Sequence, residues 1–168
     1  MHDLVWYVAY GSNKVAGRLA CYLEGGRPEG SRRTYRGARD RSLPRRSLNL
    51  QITHRMFFAG ESPVWGGGVA FIDIAPDPGA DTDCVSWLIT LEQLSDLVAQ
   101  ECGGEAPGPD LARLPDPGEA MVVAQGRYDT LLGLGPIDGV AAVLVTSSDP
   151  PALSDPSPAY LELVERSA

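Results

Sequence analysis

Residues 4–10, Leu-Val-Trp-Tyr-Val-Ala-Tyr, run through β-branched and aromatic side chains with no polar interruption. The run is far shorter than the 18 or so apolar residues of a membrane span, and it shows no polar helical face. It reads as a buried strand, and Gly11-Ser12-Asn13 supplies the turn that ends it. Any fold open to this chain must bury that strand near its N-terminus.

Downstream, Val15, Leu19, Tyr22 and Leu23 share one side of a helix over 14–24, stopped by Gly25-Gly26. Residues 27–46 carry eight arginines and two prolines with no apolar period, which reads as a long loop or surface excursion. Alternation returns over 48–58, where Leu48, Leu50, Ile52, His54, Met56 and Phe58 share one parity of a half-buried strand. Strands follow at 69–74, after Gly66-Gly67-Gly68, and at 84–89. Thr90 and Gln93 form a capping box that opens a helix running to about Cys102. Residues 105–118 hold four prolines and form a loop. Two further strands lie near 121–132 and 140–146, joined by a turn-rich stretch from Gly133 to Gly139. Ser157 and Pro158 start a short helix over 159–165.

About six strands, mostly adjacent in sequence, with two or three helices, predict an α+β fold. Its sheet is expected to be mixed and largely antiparallel, closed into a small barrel with the helices packed on it. A chain of 168 residues is sized for a single domain, with an arginine-rich insert at about 27–46. Gly66-Gly67-Gly68 precedes a strand instead of opening a helix, so it is not a phosphate loop.

The helix after Thr90 holds the most informative side chain. Leu91, Leu94, Leu97 and Val98 define a buried stripe, and Glu101 continues it, seven after Leu94 and four after Leu97. Glu92, Asp96 and Gln100 take the other side, where solvent is expected. A carboxylate on a core-facing stripe must be paired, hydrogen-bonded or protonated. Burial raises its pKa towards neutrality, where one group can both accept and donate a proton. The alternative is a frayed last turn that lets the side chain reach water.

Other chemistries find less support. Cys21, Cys84 and Cys102 are odd in number and form no CxxC pair, so free thiols are expected instead of disulfides or a zinc knuckle. His2 and His54 are the only histidines, too few for a histidine-based metal site, and no metal is expected. Cys102 beside Glu101 could serve a cysteine hydrolase, but successive helical residues point about 100° apart. The net charge of −8 hides 11 basic groups against four acids in residues 1–56. That basic stretch could bind a polyanion, yet Tyr35 is the only aromatic within 27–46 and the rest of the chain is acidic. Nucleic acid is therefore not expected as a partner. Nor is a membrane, and with no signal-peptide pattern the chain is expected in the cytoplasm.

Four landmarks lie in order along the chain. Tyr7-Val8-Ala9-Tyr10-Gly11-Ser12-Asn13 resembles the (Y/F)xAYGSN signature of γ-glutamylcyclotransferase-like proteins. Trp65-Gly66-Gly67-Gly68-Val69-Ala70 resembles the start of a strand in that family. Leu97-Val98-Ala99-Gln100-Glu101 is similar to the end of the helix bearing its catalytic glutamate. Pro156-Ser157-Pro158-Ala159-Tyr160 looks like its Pro-Ser-Pro-x-Tyr segment. The resemblance spans 7–160 and implies a metal- and cofactor-free enzyme, a monomer or homodimer. In it, the α-amine of a γ-glutamyl substrate attacks its own γ-carbonyl, releasing 5-oxoproline. Glu101 would be general acid/base, Tyr10, Gly11, Ser12 and Asn13 would bind the substrate, and Tyr160 would line the pocket. A non-catalytic small-molecule or polyanion binder of the same fold, or an amide hydrolase or deacylase using the same pocket, remain alternatives. Lys14, where relatives often carry Met or Leu, and the segment 27–46 depart from the pattern and leave the leaving group open.

Overall fold

A computed structural model of the chain describes residues 3–165. The N-terminal apolar run forms β1 (Leu4–Ala9), a 3₁₀ turn covers Ser12–Lys14, and α1 spans Ala16–Glu24. Then come β2 (Arg46–Ile52), β3 (His54–Ala59), β4 (Val69–Pro76), β5 (Thr82–Thr90) and α2 (Leu91–Glu101). The chain continues through β6 (Ala120–Val122), β7 (Thr130–Ile137), β8 (Val140–Thr146) and α3 (Pro158–Glu165).

Six strands form one sheet in the order β2-β5-β1-β8-β7-β6. The β1–β8 pair is parallel and its other pairs are antiparallel, so the α+β class with a mixed, largely antiparallel sheet is observed. The expected closure into a barrel is not. The sheet is open, and β3 and β4 form a separate two-stranded ribbon. The strand read over 48–58 turns a corner at Thr53: β2 pairs with β5, while β3 leaves the sheet and pairs with β4. The ribbon lies over one face of the sheet and is tied to it by Thr146. The Thr146 hydroxyl donates to Ile72 O at 2.7 Å and accepts from Ile72 N at 3.0 Å. The strand expected near 121–132 is also two, β6 and β7, and β7 extends through much of the stretch read as turn, with a register shift between Leu134 and Ile137.

The absence of a polar face on β1 now has its cause. Trp6, Val8 and Tyr10 enter a core between the sheet and the ribbon, with Phe71, Leu144 and Tyr160. Val5, Tyr7 and Ala9 enter a second core under α1 and α2, with Leu94, Leu97 and Val98. Each fully buried Val, Leu or Phe side chain among them contributes about 1.5–3 kcal/mol of transfer free energy.

α2 carries the expected capping box. The Thr90 hydroxyl accepts from Gln93 N, and the Gln93 side chain accepts from Thr90 N. Its outer face, expected in solvent, is buried at Asp96 and Gln100, which are 0% and 1% exposed. The arginine-rich segment covers it. Arg39 N and the Arg39 guanidinium donate to the Asp96 carboxylate at 2.8–3.2 Å, and Gly37 N donates to Gln100 Oε1 at 3.1 Å. Segment 27–46 is thus a cover for α2. Of its arginines, Arg39 pairs with Asp96, Arg36 pairs with Glu105 and Arg33 stacks over Tyr35.

Candidate functional site

Length matching places Glu101. β5 runs antiparallel to β1, with Leu4 opposite Thr90. α2 therefore starts at the beginning of β1, where Leu91 N donates to Asp3 O at 2.9 Å, and returns along the strand. From first to last residue the helix rises about 15 Å and the strand about 17 Å. The last residue of α2 consequently arrives beside the turn that follows β1.

The two meet through Asn13, whose Nδ2 donates to Glu101 Oε1 at 2.9 Å and to the Tyr7 hydroxyl at 3.1 Å. Trp87 Nε1 donates to Asn13 O at 3.0 Å and pins the turn from β5. The first hydrogen bond of the turn is Lys14 N to Gly11 O, so the N–H groups of Gly11, Ser12 and Asn13 have no partner inside it. A small cavity of about 50 Å³ lies here, walled by Tyr7, Tyr10, Gly11, Ser12, Asn13 and Glu101, and closed by Ala70, Tyr128, Val145 and Tyr160.

Each wall has a structural reason to be rigid. The Tyr10 hydroxyl donates to Val145 O at 2.6 Å, and the Tyr128 hydroxyl donates to Ala70 O at 2.9 Å. Ala70 N donates to the Tyr160 hydroxyl at 3.1 Å. Tyr160 is held by the cap of α3, where Tyr160 N donates to Ser157 Oγ at 3.2 Å. That segment lies against the glycines that precede β4: a Cβ on Gly67 would stand 2.6 Å from Asp155 O, and one on Gly68 would collide with Ser154 O. Burial pushes the Tyr160 hydroxyl up to about 12 and those of Tyr7, Tyr10 and Tyr128 above their ordinary value. These phenols stay protonated at neutral pH.

Glu101 is half-buried, and burial raises its carboxyl to about 7. The nearby Arg18 charge, the Asn13 amide, Arg33 and the Tyr22 hydroxyl pull in the opposite direction without prevailing. The group is therefore divided between its two protonation states near neutrality.

All six residues singled out in the sequence, Tyr10, Gly11, Ser12, Asn13, Glu101 and Tyr160, border this cavity. Tyr7, Ala70, Tyr128 and Val145 were not singled out. Tyr7 stood inside the quoted signature, whereas Tyr128 follows no periodic pattern. Arg18 was missed although it carries the same signal as Glu101: it lies three after Val15 and four before Tyr22, on the apolar face of α1, and is 8% exposed. Among the described residues no group of three His, Cys, Asp and Glu side chains could hold a metal ion. His54 is buried, with Nδ1 3.0 Å from Asp73 O. Cys21, Cys84 and Cys102 are free thiols. No described helix is long and apolar enough to cross a membrane.

No family model matches the chain. Over 116 residues, 66% of its length, the chain is 39% identical to a protein named Histone deacetylase 5 from Arabidopsis thaliana. The match covers 18% of that protein, so the chain spans less than a fifth of its relative. Among solved structures it is similar to a γ-glutamyl cyclotransferase, at 17% identity with a TM-score of 0.53. It is also similar to an uncharacterized protein from Homo sapiens, at 18% identity with a TM-score of 0.55. Each superposition covers 96% of this chain and 76% of the other. The chain therefore has the γ-glutamyl cyclotransferase fold.

Proposed function

We propose that the chain is a cyclotransferase that releases 5-oxoproline from a γ-glutamyl amine, amino acid or peptide. The observation that carries this reading is the Glu101 carboxyl, raised to about 7 and held 2.9 Å from Asn13 Nδ2 at a turn with unspent N–H groups.

The substrate γ-carbonyl oxygen lies against the N–H groups of Gly11 to Asn13, which stabilise the charge that builds on it. Ionised Glu101 takes a proton from the substrate α-ammonium. The freed amine attacks the γ-carbon, forming the lactam C–N bond, and the original amide C–N bond breaks. Glu101 returns its proton to the departing nitrogen and then relays the second proton shed by the attacking nitrogen, so the products are a neutral lactam and an ammonium and the carboxylate is regenerated. Nucleophile and electrophile belong to one molecule, and the walls need only fold it into attack geometry. Tyr10 and Tyr160 supply apolar ring surface and fixed hydroxyls for that purpose. The reaction as written calls on no metal or cofactor.

The deacylase alternative needs water as nucleophile and yields free glutamate. The deacetylase name belongs to the whole of a much longer protein, and the described residues offer no metal-ligand set of the kind a metal-dependent hydrolase uses. A polyanion-binding role is disfavoured because many arginines of 27–46 are engaged within the fold. The test is a panel of γ-glutamyl compounds assayed for 5-oxoproline and free glutamate. Lactam release supports the cyclotransferase, and glutamate release alone supports the hydrolase.

A further inference from the structure

Four buried side-chain polar atoms lack a hydrogen-bond partner among the described residues: Asn13 Oδ1, Arg18 Nε, Arg18 Nη1 and Ser86 Oγ. Two of them belong to one guanidinium. Arg18 is 8% exposed, and its Cζ lies 5.4 Å from the centre of the Trp65 ring. Stacking satisfies the face of a guanidinium and leaves its in-plane N–H groups for an acceptor. A buried cation without such an acceptor is costly, and a carboxylate repays that cost with charge-assisted, frequently bidentate hydrogen bonds.

Arg18 and Trp65 wall a cavity of about 430 Å³, completed by Val15, Cys21, Arg27 and Leu163 among others. It adjoins the small pocket at Glu101. Ala159 lines the larger space and Tyr160 the smaller one, and the Trp65 and Tyr160 rings are 6.5 Å apart. Arg27, Glu29 and Glu162 also border the larger cavity, but they are exposed, of mixed sign, and screened by solvent. The buried Arg18 dominates its floor.

We propose that Arg18 is a specificity-determining residue that receives a carboxylate on the leaving-group side of the ligand, which occupies the Arg18–Trp65 cavity. This assignment rests on the cyclotransferase reading for which side of the ligand is the leaving group. The glutamyl half fills the small pocket, and the amide nitrogen passes beside Tyr160 into the larger one. A neutral amine would leave the guanidinium without an acceptor, and the site would discriminate against it.

The test uses two ligands that differ only at the leaving-group carboxyl, γ-glutamyl-alanine and γ-glutamyl-alaninamide. Their dissociation constants are measured by calorimetry on Glu101→Gln, which blocks turnover, with and without Arg18→Met. Glu101→Gln alone should bind γ-glutamyl-alanine roughly 10- to 100-fold more tightly than the amide. Adding Arg18→Met should abolish the difference while leaving the amide's affinity within about threefold, and Arg18→Lys should restore part of the preference. Equal affinity of the two ligands for Glu101→Gln overturns the proposal, and that comparison needs no Arg18 variant to fold. So does binding of neither at millimolar concentration. Equal weakening of both by Arg18→Met overturns it too, since Arg18 would then hold the α-carboxylate the ligands share. Turnover separates the two claims. A retained carboxylate preference without 5-oxoproline release by the wild type refutes the reaction and keeps the anion site. Release without preference does the reverse.

Discussion

Asn13 Nδ2 donates to Glu101 Oε1 across 2.9 Å, joining a turn after the first strand to the end of a helix 88 residues later. The bond favours the ionised carboxylate and opposes the effect of burial. Asn13→Ala should therefore move the Glu101 carboxyl above about 7. The acidic limb of the kcat/KM profile should shift to higher pH, and the rate at neutral pH should fall by about tenfold or more. A pH–rate series on both proteins reads this out.

For the wild type, the ionised carboxylate is the form that takes the substrate proton. kcat/KM should rise with pH through an apparent pKa near 7.

The same group should leave a mark on stability. Its folded pKa lies above the unfolded value, so the native state holds a proton that the unfolded state has released between about pH 4.5 and about 7. Stability contributed by Glu101 should fall as pH rises across that window, by roughly 3 kcal/mol at most above it. Glu101→Gln should match the wild type near pH 4 and exceed it at pH 8. Urea titrations at the two pH values check the sign.

Gly11 has φ −102°, which does not itself demand glycine. A Cβ there would stand 3.5 Å from Ala70 Cβ and 3.7 Å from the Tyr160 hydroxyl, at ordinary contact distance but inside the pocket. Gly11→Ala should fold and melt close to the wild type while losing affinity for the glutamyl group. Calorimetric binding beside a thermal melt distinguishes this from a folding defect.

Asp96 should show the opposite profile. Burial pushes its carboxyl up, but the Arg39 side chain and the N–H groups of Arg39 and Gly108 outweigh burial and hold it below the ordinary value. Asp96→Ala removes the anchor of the arginine-rich cover and should cost about 1–3 kcal/mol, the scale for leaving the N–H groups of Arg39 and Gly108 without their acceptor, since the Arg39 side chain itself is partly in solvent. Folded protein should keep its activity, because Asp96 does not border the pocket. The stability contributed by Asp96 is present above the unfolded pKa and is lost as pH falls through the depressed one.

What could be read from the sequence was local. β1 announced its burial through an unbroken apolar run, and the Thr90 cap with the Leu94-Leu97-Val98 stripe fixed α2 and the oddity of Glu101. The missing features depend on distant partners. Asp96 looked solvent-facing because the cover that buries it comes from Arg39, 57 residues earlier. Thr53 gave no sign of a corner, since alternation continues through it while the hydrogen-bonded partner changes from β5 to β4. Tyr128 reaches the pocket by bonding Ala70, 58 residues away, which no periodicity encodes. Arg18 was legible by the logic applied to Glu101, a charge set on an apolar helical face.

In the proposed reaction Glu101 shuttles the proton of an intramolecular aminolysis. The most direct test of that role is 5-oxoproline release from the best substrate of the γ-glutamyl panel, compared between wild type and Glu101→Gln alongside substrate affinity. The variant should keep its fold and bind substrate within a fewfold of wild type, while turnover falls by about 10²–10⁴-fold. Release at the wild-type rate by Glu101→Gln would contradict that role.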